Sequence, residues 1–380
     1  MFADMEQIFF ELIRVAIGKQ VCLSHTPTAD EWGKLYAMAK KQSLVGICFA
    51  GVQELNAQRQ APNSWGNEKG EQLYLQWMGM AAKIQQRNDL VNRQCVEVQK
   101  KLADAGIPSL ILKGQGVACV YCEPLRGLRQ SGDIDVLCLS YFEKLEDWLR
   151  TDNIAVNSVS FHHFDVALYN DTDVELHFSV GHLINRYADK EYQKFIQAES
   201  CAAELHKLGA DFTIKSPSSV FNLIYLLAHM QRHYFSEGIG MRHVMDYYYV
   251  LKTSTLSKEE KTKIADLLKT LMLYDFASAV IWVIKYVTMD LEFCDFIKED
   301  GRKGQFLLND IMMGGNFGHY KEKNHRDLND SHLVRFAKSM IHSLRFAKYF
   351  PNETLWYPID YTRMFIDNYL MRHRCRHLIS

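Results

Sequence analysis

Apolar positions recur every three or four residues along most of this chain, and the helical period gives way in one central stretch. From Asp30 to Leu55, the residues Trp32, Leu35, Tyr36, Met38, Ala39, Leu44 and Ile47 keep mostly helical spacing. Leu73 to Ala105 continues the pattern up to Gly106, a residue suited to ending a helix. The opening MFADMEQIFFELIRVAIGKQ reads as an amphipathic first helix, since Asp4, Glu6 and Glu11 deny it the basic start and clean apolar stretch of a signal peptide. The first hundred residues are therefore expected to be all-helical.

Beyond Gly106 the period shortens. Ile107 to Leu112 and Asp133 to Cys138 read as short buried strands, and Lys113-Gly114-Gln115-Gly116 breaks the first before a helical stretch to Tyr121. Tyr141 to Arg150 is helical by the spacing of Phe142, Leu145, Trp148 and Leu149, and strand-like runs follow at 154–161, 163–169 and 173–180. Ser216-Pro217 has the form of a helix start, with serine as cap and proline at the first helical position, and the pattern is helical from there to Ser380. Prolines at 27, 62, 108, 124, 217, 351 and 358 fall where elements should begin or end. The expected fold is α+β: a small mixed-sheet core at 106–215 between helical regions at 1–105 and 216–380.

Composition narrows the function classes. With 380 residues, 48% of them hydrophobic, the chain can fill more than one core. Its 44 Lys+Arg against 45 Asp+Glu leave a net charge of -1, so no overall field draws it to polyanions and any affinity for phosphate must be local. Nine scattered cysteines, an odd number among mostly apolar neighbours, fit reduced thiols in the cytoplasm. No apolar run approaches the roughly 18 residues of a membrane span, because Asn222 and Lys285 interrupt the best two, so no membrane partner is expected.

The candidate chemistry sits in the central stretch. On a strand, Asp133 and Asp135 project to one face while Ile134 and Val136 pack inward. Other acidic-x-acidic triplets occur, such as Asp171/Asp173 and Asp290/Glu292, but two carboxylates on an apolar strand repel unless a cation or donor joins them. In Asp173-Val174-Glu175-Leu176-His177, Glu175 shares a face with Asp173 and His177. If that strand neighbours the first, three carboxylates can hold two Mg²⁺ ions about 4 Å apart. Lys113-Gly114-Gln115-Gly116 follows a strand and opens a helix, where glycines permit close approach of a ligand and free N–H groups attract phosphate. It is neither a P-loop nor a dinucleotide fingerprint.

Taken together, Lys113-Gly114-Gln115-Gly116, Arg126, Arg129-Gln130-Ser131-Gly132-Asp133-Ile134-Asp135 and Val174-Glu175-Leu176-His177 resemble the polymerase-beta-type nucleotidyltransferase superfamily. More narrowly, the chain is similar to the bacterial uncharacterised nucleotidyltransferases over about residues 85–250, including the segment with His229, Gly240-Met241-Arg242-His243 and Asp246. The chain departs from the superfamily pattern in its Gly-Gln-Gly turn and in its longer spacing from Gly114 to Asp133. The resemblance implies transfer of a nucleoside monophosphate from an NTP, such as ATP, to an unidentified acceptor hydroxyl or phosphate on a small molecule, protein or RNA, with release of pyrophosphate. It implies Asp133, Asp135 and Glu175 as metal ligands and catalytic residues. Lys113, Gly114, Gln115, Gly116, Arg126, Arg129 and Ser131 would serve the nucleotide. A toxin-like transferase acting on RNA and a catalytically silent nucleotide-sensing or protein-binding module are the alternatives.

Weaker signals have plainer readings. His229 and His233 lack a third zinc ligand, Arg242 and Asp246 have the spacing of a helix ion pair, and Cys119-x-x-Cys122 has no second pair. Arg335, Lys338, His342, Arg345 and Lys348 form a basic stripe, followed by the 372–377 basic cluster; a solvated helix face is expected, with nucleic-acid contact as the alternative.

Overall fold

The computed structural model describes residues 4–57, 65, 68–209, 211–290, 292–316 and 331–379; Pro62, one of the expected break points, lies outside them. The N-terminal segment forms α1 (Asp4–Ala16), α2 (Ala29–Lys41), α3 (Val45–Ala57) and α4 (Glu68–Asp104). The stretch of helical spacing from Asp30 to Leu55 is two helices. Ser43 takes a left-handed φ of 54°, and the Leu44 N–H returns to the Ala39 carbonyl at 2.8 Å, which closes α2. Both helices bury their apolar faces in the same core, so the spacing carries no trace of the break. Thr28 and Glu31 form a capping box at the start of α2. Gly106 does end α4: its φ is 69°, and the Gly106 and Ile107 N–H groups bond to the Ala103 and Leu102 carbonyls at 2.8 and 2.7 Å.

The central stretch holds β1 (Ser109–Ile111), α5 (Lys113–Ala118), α6 (Leu125–Leu128), β2 (Ile134–Cys138), α7 (Phe142–Thr151), β3 (Val156–Val159), β4 (His163–Val166) and β5 (Val174–His177). The sheet order is β1-β2-β5-β4-β3; β2 and β5 run parallel and the other pairs antiparallel, giving the expected mixed sheet. Next come α8 (Arg186–Glu199) and a hairpin of β6 (Ala203–Lys207) and β7 (Thr213–Pro217). The pattern does not announce this hairpin because β6 is almost wholly exposed and lacks apolar alternation. Pro217 ends β7 and Ser218 caps the next helix, its hydroxyl accepting the Phe221 N–H at 3.1 Å. The helix start therefore falls later than Ser216-Pro217 suggests.

The remaining helices are α9 (Ser219–Ser236), α10 (Met241–Thr253), α11 (Lys258–Thr270), α12 (Tyr274–Thr288), α13 (Gly301–Gly314), α14 (His332–Leu344) and α15 (Pro351–Arg374). Two apolar cores result. One joins the N-terminal helices to those after residue 216, and polar ties cross it. Arg14 donates to the Val287 and Tyr286 carbonyls (2.8 and 2.9 Å), and Gln42 links the Ile311 carbonyl to the Met241 N–H. The second core lies under the sheet, and α4 enters both, with Trp77, Ala81 and Ile84 in the first and Val91, Cys95, Val98 and Leu102 in the second. Beyond the sheet, α15 covers the edge strand β3: Asn368 accepts the Phe161 N–H at 3.0 Å and Ile379 bridges Val156. The tetrapeptide Arg-Phe-Ala-Lys occurs twice, at 335–338 within α14 and at 345–348 just beyond its end. Among the described residues no helix is long and apolar enough to cross a membrane.

Candidate active site

Strand register assembles the site. Asp135 on β2 is the direct partner of Glu175 on β5, and Glu175 in turn faces Asp165 on β4, so three carboxylates stand in one row across three strands. His177 and His163 form the next row. Asp133 immediately precedes β2, and its side chain is 41% exposed where that of Asp135 is 1% exposed. Lys113 arrives from the sheet's other side. The Leu112 N–H bonds to the Asp135 carbonyl at 2.9 Å, extending the β1–β2 pairing by one residue, and this sets the Lys113 ammonium 2.9 Å from Asp135 Oδ1 and 3.6 Å from Asp133 Oδ2. His177 Nε2 completes the cluster at 2.9 Å from Asp135 Oδ1 and 3.1 Å from Glu175 Oε2.

The charges hold one another. Burial disfavours ionised Glu175, yet the His177 hydrogen bond and the Lys113 charge outweigh it and hold the carboxyl down to about 2. Burial likewise opposes the charges of Lys113 and His177, and the surrounding carboxylates raise both above their ordinary values. Asp135 Oδ2 is nevertheless buried with no hydrogen-bond partner. A cleft of about 650 Å³ opens beside the cluster, lined by Arg87, Ser131, Asp133, Ser158, Asp165 and Glu175 among others.

The expected nucleotide residues separate into two groups. Lys113, Ser131 and Gly114 lie at the cluster or its cleft: Ser131 Oγ is buried without a partner, and Gly114 takes a φ of 43°, with the Asp133 carbonyl 3.6 Å from where a Cβ would sit. The others are engaged elsewhere. Gln115 is buried and donates to Asn92 on α4, and a Cβ on Gly116 would run into the Ile111 carbonyl oxygen, so this glycine lets α5 sit tightly on β1. Arg126 holds the Tyr121 carbonyl and Glu123. Arg129 is buried in a two-pronged pair with Asp246, both contacts at 2.7 Å, and Tyr121 donates to the same carboxylate.

Asp246 is thus taken by Arg129, and Arg242 does not form the helix pair its spacing suggests. It donates instead to the Gln130 carbonyl at 3.1 Å, leaving its Nε buried and unpartnered. The rings of His229 and His233 stand 4.4 Å apart, and neither belongs to a metal-ligating group among the described residues. Of the downstream cations, Arg345 pairs with Asp310, Arg374 with Glu143 and His377 with Glu146. Sequence reasoning missed His162, His163 and Asp165. Their signal was available in the polar alternation His163-x-Asp165, which matches that of Glu175-x-His177.

A family model described as "Uncharacterised nucleotidyltransferase" matches residues 28–287. The chain belongs to the uncharacterised nucleotidyltransferase family. That match spans the two carboxylate strands, the Lys113 turn and the helices carrying Arg232 and Arg242, so the assembled site lies wholly within the family's common region. Among solved structures, the crystal structure of an antigenic nucleotidyltransferase-like protein from Paracoccidioides brasiliensis matches at 16% identity and a TM-score of 0.33, covering 51% of this chain and 93% of that one. No curated protein matches. In this nucleotidyltransferase-family chain, Asp135, Glu175 and His177 form one group able to hold a cation, and its unpartnered buried oxygen fits a hard divalent ion.

Proposed function

We propose that the protein is a Mg²⁺-dependent nucleotidyltransferase that moves a nucleoside monophosphate from an NTP to an acceptor hydroxyl or phosphate. The observation that carries this reading is the register that sets Asp135 beside Glu175 at an open cleft, with Asp133 reaching the same Lys113 ammonium and the buried Asp135 Oδ2 lacking a partner. Asp133, Asp135 and Glu175 would hold the metal, which, when bound, supplies positive charge to the reacting phosphate and lowers the pKa of the attacking hydroxyl.

The chain's own groups do the rest. In the transfer, a bond forms from the acceptor oxygen to the α-phosphorus, the α–β bridging bond breaks and pyrophosphate leaves. Glu175, kept ionised by the His177 hydrogen bond and the Lys113 charge, would bind and orient. Lys113 stays charged and balances the carboxylates when the cleft holds no nucleotide. Ser131 Oγ and the Gly114 turn line the route to the phosphates. Arg232 has no carboxylate ion pair among the described residues, and neither has Arg242; both add positive charge near the site for phosphate oxygens. Nine free thiols, most of them buried, support a cytoplasmic setting.

The test is incubation of the protein with each labelled NTP, Mg²⁺ and a fractionated cell extract. Label moving to one fraction with matching pyrophosphate release, lost in Asp133→Asn at unchanged thermal stability, is the expected result. Absence of pyrophosphate with every NTP would sink the proposal.

A further inference from the structure

Three imidazoles converge at the end of the carboxylate row, and the proposed transfer gives none of them a role beyond the His177 hydrogen bonds to Asp135 and Glu175. His163 and His177 are direct register partners on adjacent antiparallel strands, the closest cross-strand relation a sheet offers, and their ring centroids are 5.0 Å apart. His162 lies at 4.4 Å from His163 and 5.4 Å from His177 by the same measure. The ligand atoms meet more closely: His162 Nε2 is 3.1 Å from His163 Nδ1, which is 3.7 Å from Glu175 Oε2, itself 3.1 Å from His177 Nε2. Nitrogens sharing one tetrahedral ion at bond lengths of about 2.0–2.1 Å stand roughly 3.3 Å apart, close to the spacing found.

The groups behind the rings point the same way. His163 Nε2 meets Asp165 Oδ1 at 3.2 Å, and Ser158 donates to the other Asp165 oxygen. A carboxylate on the far nitrogen is the outer-layer arrangement of metal-bound histidines, and the near nitrogen, Nδ1, faces His162 Nε2 and Ser160 Oγ, the latter at 3.0 Å. Ser160 Oγ lies 3.2 Å from His162 Nδ1, so a proton on that nitrogen leaves Nε2 bare.

We propose that His162, His163 and His177, each offering a ring nitrogen within 4.8 Å of the other two, bind a divalent transition-metal ion of the imidazole-preferring class, a different ion from the hard oxygen-bound Mg²⁺ of the transfer site. Imidazole suits such ions, whereas Mg²⁺ takes oxygen ligands. The site meets the carboxylate cluster at His177, which gives up a proton to water when the ion binds, and it does not depend on the transferase reading for its ligands.

The experiment uses the full chain, stripped with chelator and titrated with Co²⁺ in the absence of nucleotide. Proton NMR counts the hyperfine-shifted, solvent-exchangeable imidazole N–H signals, one per bound histidine. The expected result is three such signals. His162→Ala and His163→Ala should each remove one and weaken Co²⁺ binding at least ~10-fold, and Asp165→Asn should weaken it by ~10–100-fold with all three ligands present. His206→Ala, on the exposed hairpin, should change nothing. Asp133→Asn should keep all three signals while losing nucleotide transfer, so the metal site and the transferase reading fail separately. Absence of exchangeable shifted signals, the same signals in both histidine variants, or a cobalt–thiolate absorption band in their place would overturn the proposal. Circular dichroism identifies any variant that has unfolded, and Asp165→Asn then decides the question.

Discussion

Asp135 and Glu175 face each other across the parallel pair β2–β5, and His177 Nε2 touches both carboxylates, at 2.9 and 3.1 Å. Lys113 closes the other side of Asp135 at 2.9 Å. One buried carboxylate therefore balances two cationic partners, while among the described residues Asp133 at the mouth has one ion pair, the longer 3.6 Å contact with Lys113. The two aspartates differ in what they do for stability.

Asp133→Asn should abolish metal-dependent NTP turnover and cost less than ~1 kcal/mol of stability, since its ion pair is half-exposed. Asp135→Asn should also abolish turnover but cost about 3 kcal/mol or more, because it strands the charges of Lys113 and His177. Urea unfolding beside a pyrophosphate assay checks both. Equal stability losses in the two variants would contradict the assignment.

Replacing Asp246 with Asn should destabilise the fold by ~3–5 kcal/mol, since Arg129 would be left charged in the core. Arg129→Met combined with Asp246→Leu should recover much of that loss in denaturant titration. If Asp246→Asn is instead stable and impaired only in nucleotide binding, the pair belongs to the active site.

Gly116→Ala drives a Cβ into the Ile111 carbonyl, so α5 must move away from β1. The expected cost is ~1–3 kcal/mol, with a drop in turnover because Lys113 opens that helix. A variant with wild-type stability and turnover would show that α5 is less tightly seated than the structure has it.

Glu353 supplies the pH dependence. Burial pushes its carboxyl up to about 7; the Asp275 charge reinforces the shift, and a backbone hydrogen bond, Lys303 and Gln231 oppose it. An acid raised in the folded state favours folding while protonated. Its contribution is complete below the unfolded value of 4.5 and is lost as pH rises through about 7. Glu353→Gln should therefore flatten this part of the stability profile and raise the melting temperature at about pH 8, by at most ~3 kcal/mol in stability. A steeper profile in the variant would refute the sign.

How far the sequence reaches is visible in single residues. The strand carrying Asp133 and Asp135, the one carrying Glu175, the break at Lys113-Gly114 and the stop at Gly106 were all legible, because each rests on a local period or on backbone sterics. The split at Ser43 was not, since two helices that feed one core keep a continuous apolar stripe. The partner of Arg129 was not either, because Asp246 stands 117 residues away and a nearer arginine, Arg242, has the helical spacing.

By itself, then, the sequence determined that helical regions flank a short-stranded central stretch, which face of its strands bears the acids, and the family to which the chain is similar. Strand order decided the rest. Only the parallel pairing of β2 with β5 and the antiparallel return of β4 place Asp135, Glu175 and Asp165 in one row and His163 beside His177. A period of two fixes the face a side chain takes; which strand lies alongside is set by burial of the whole sheet, a property no local window contains.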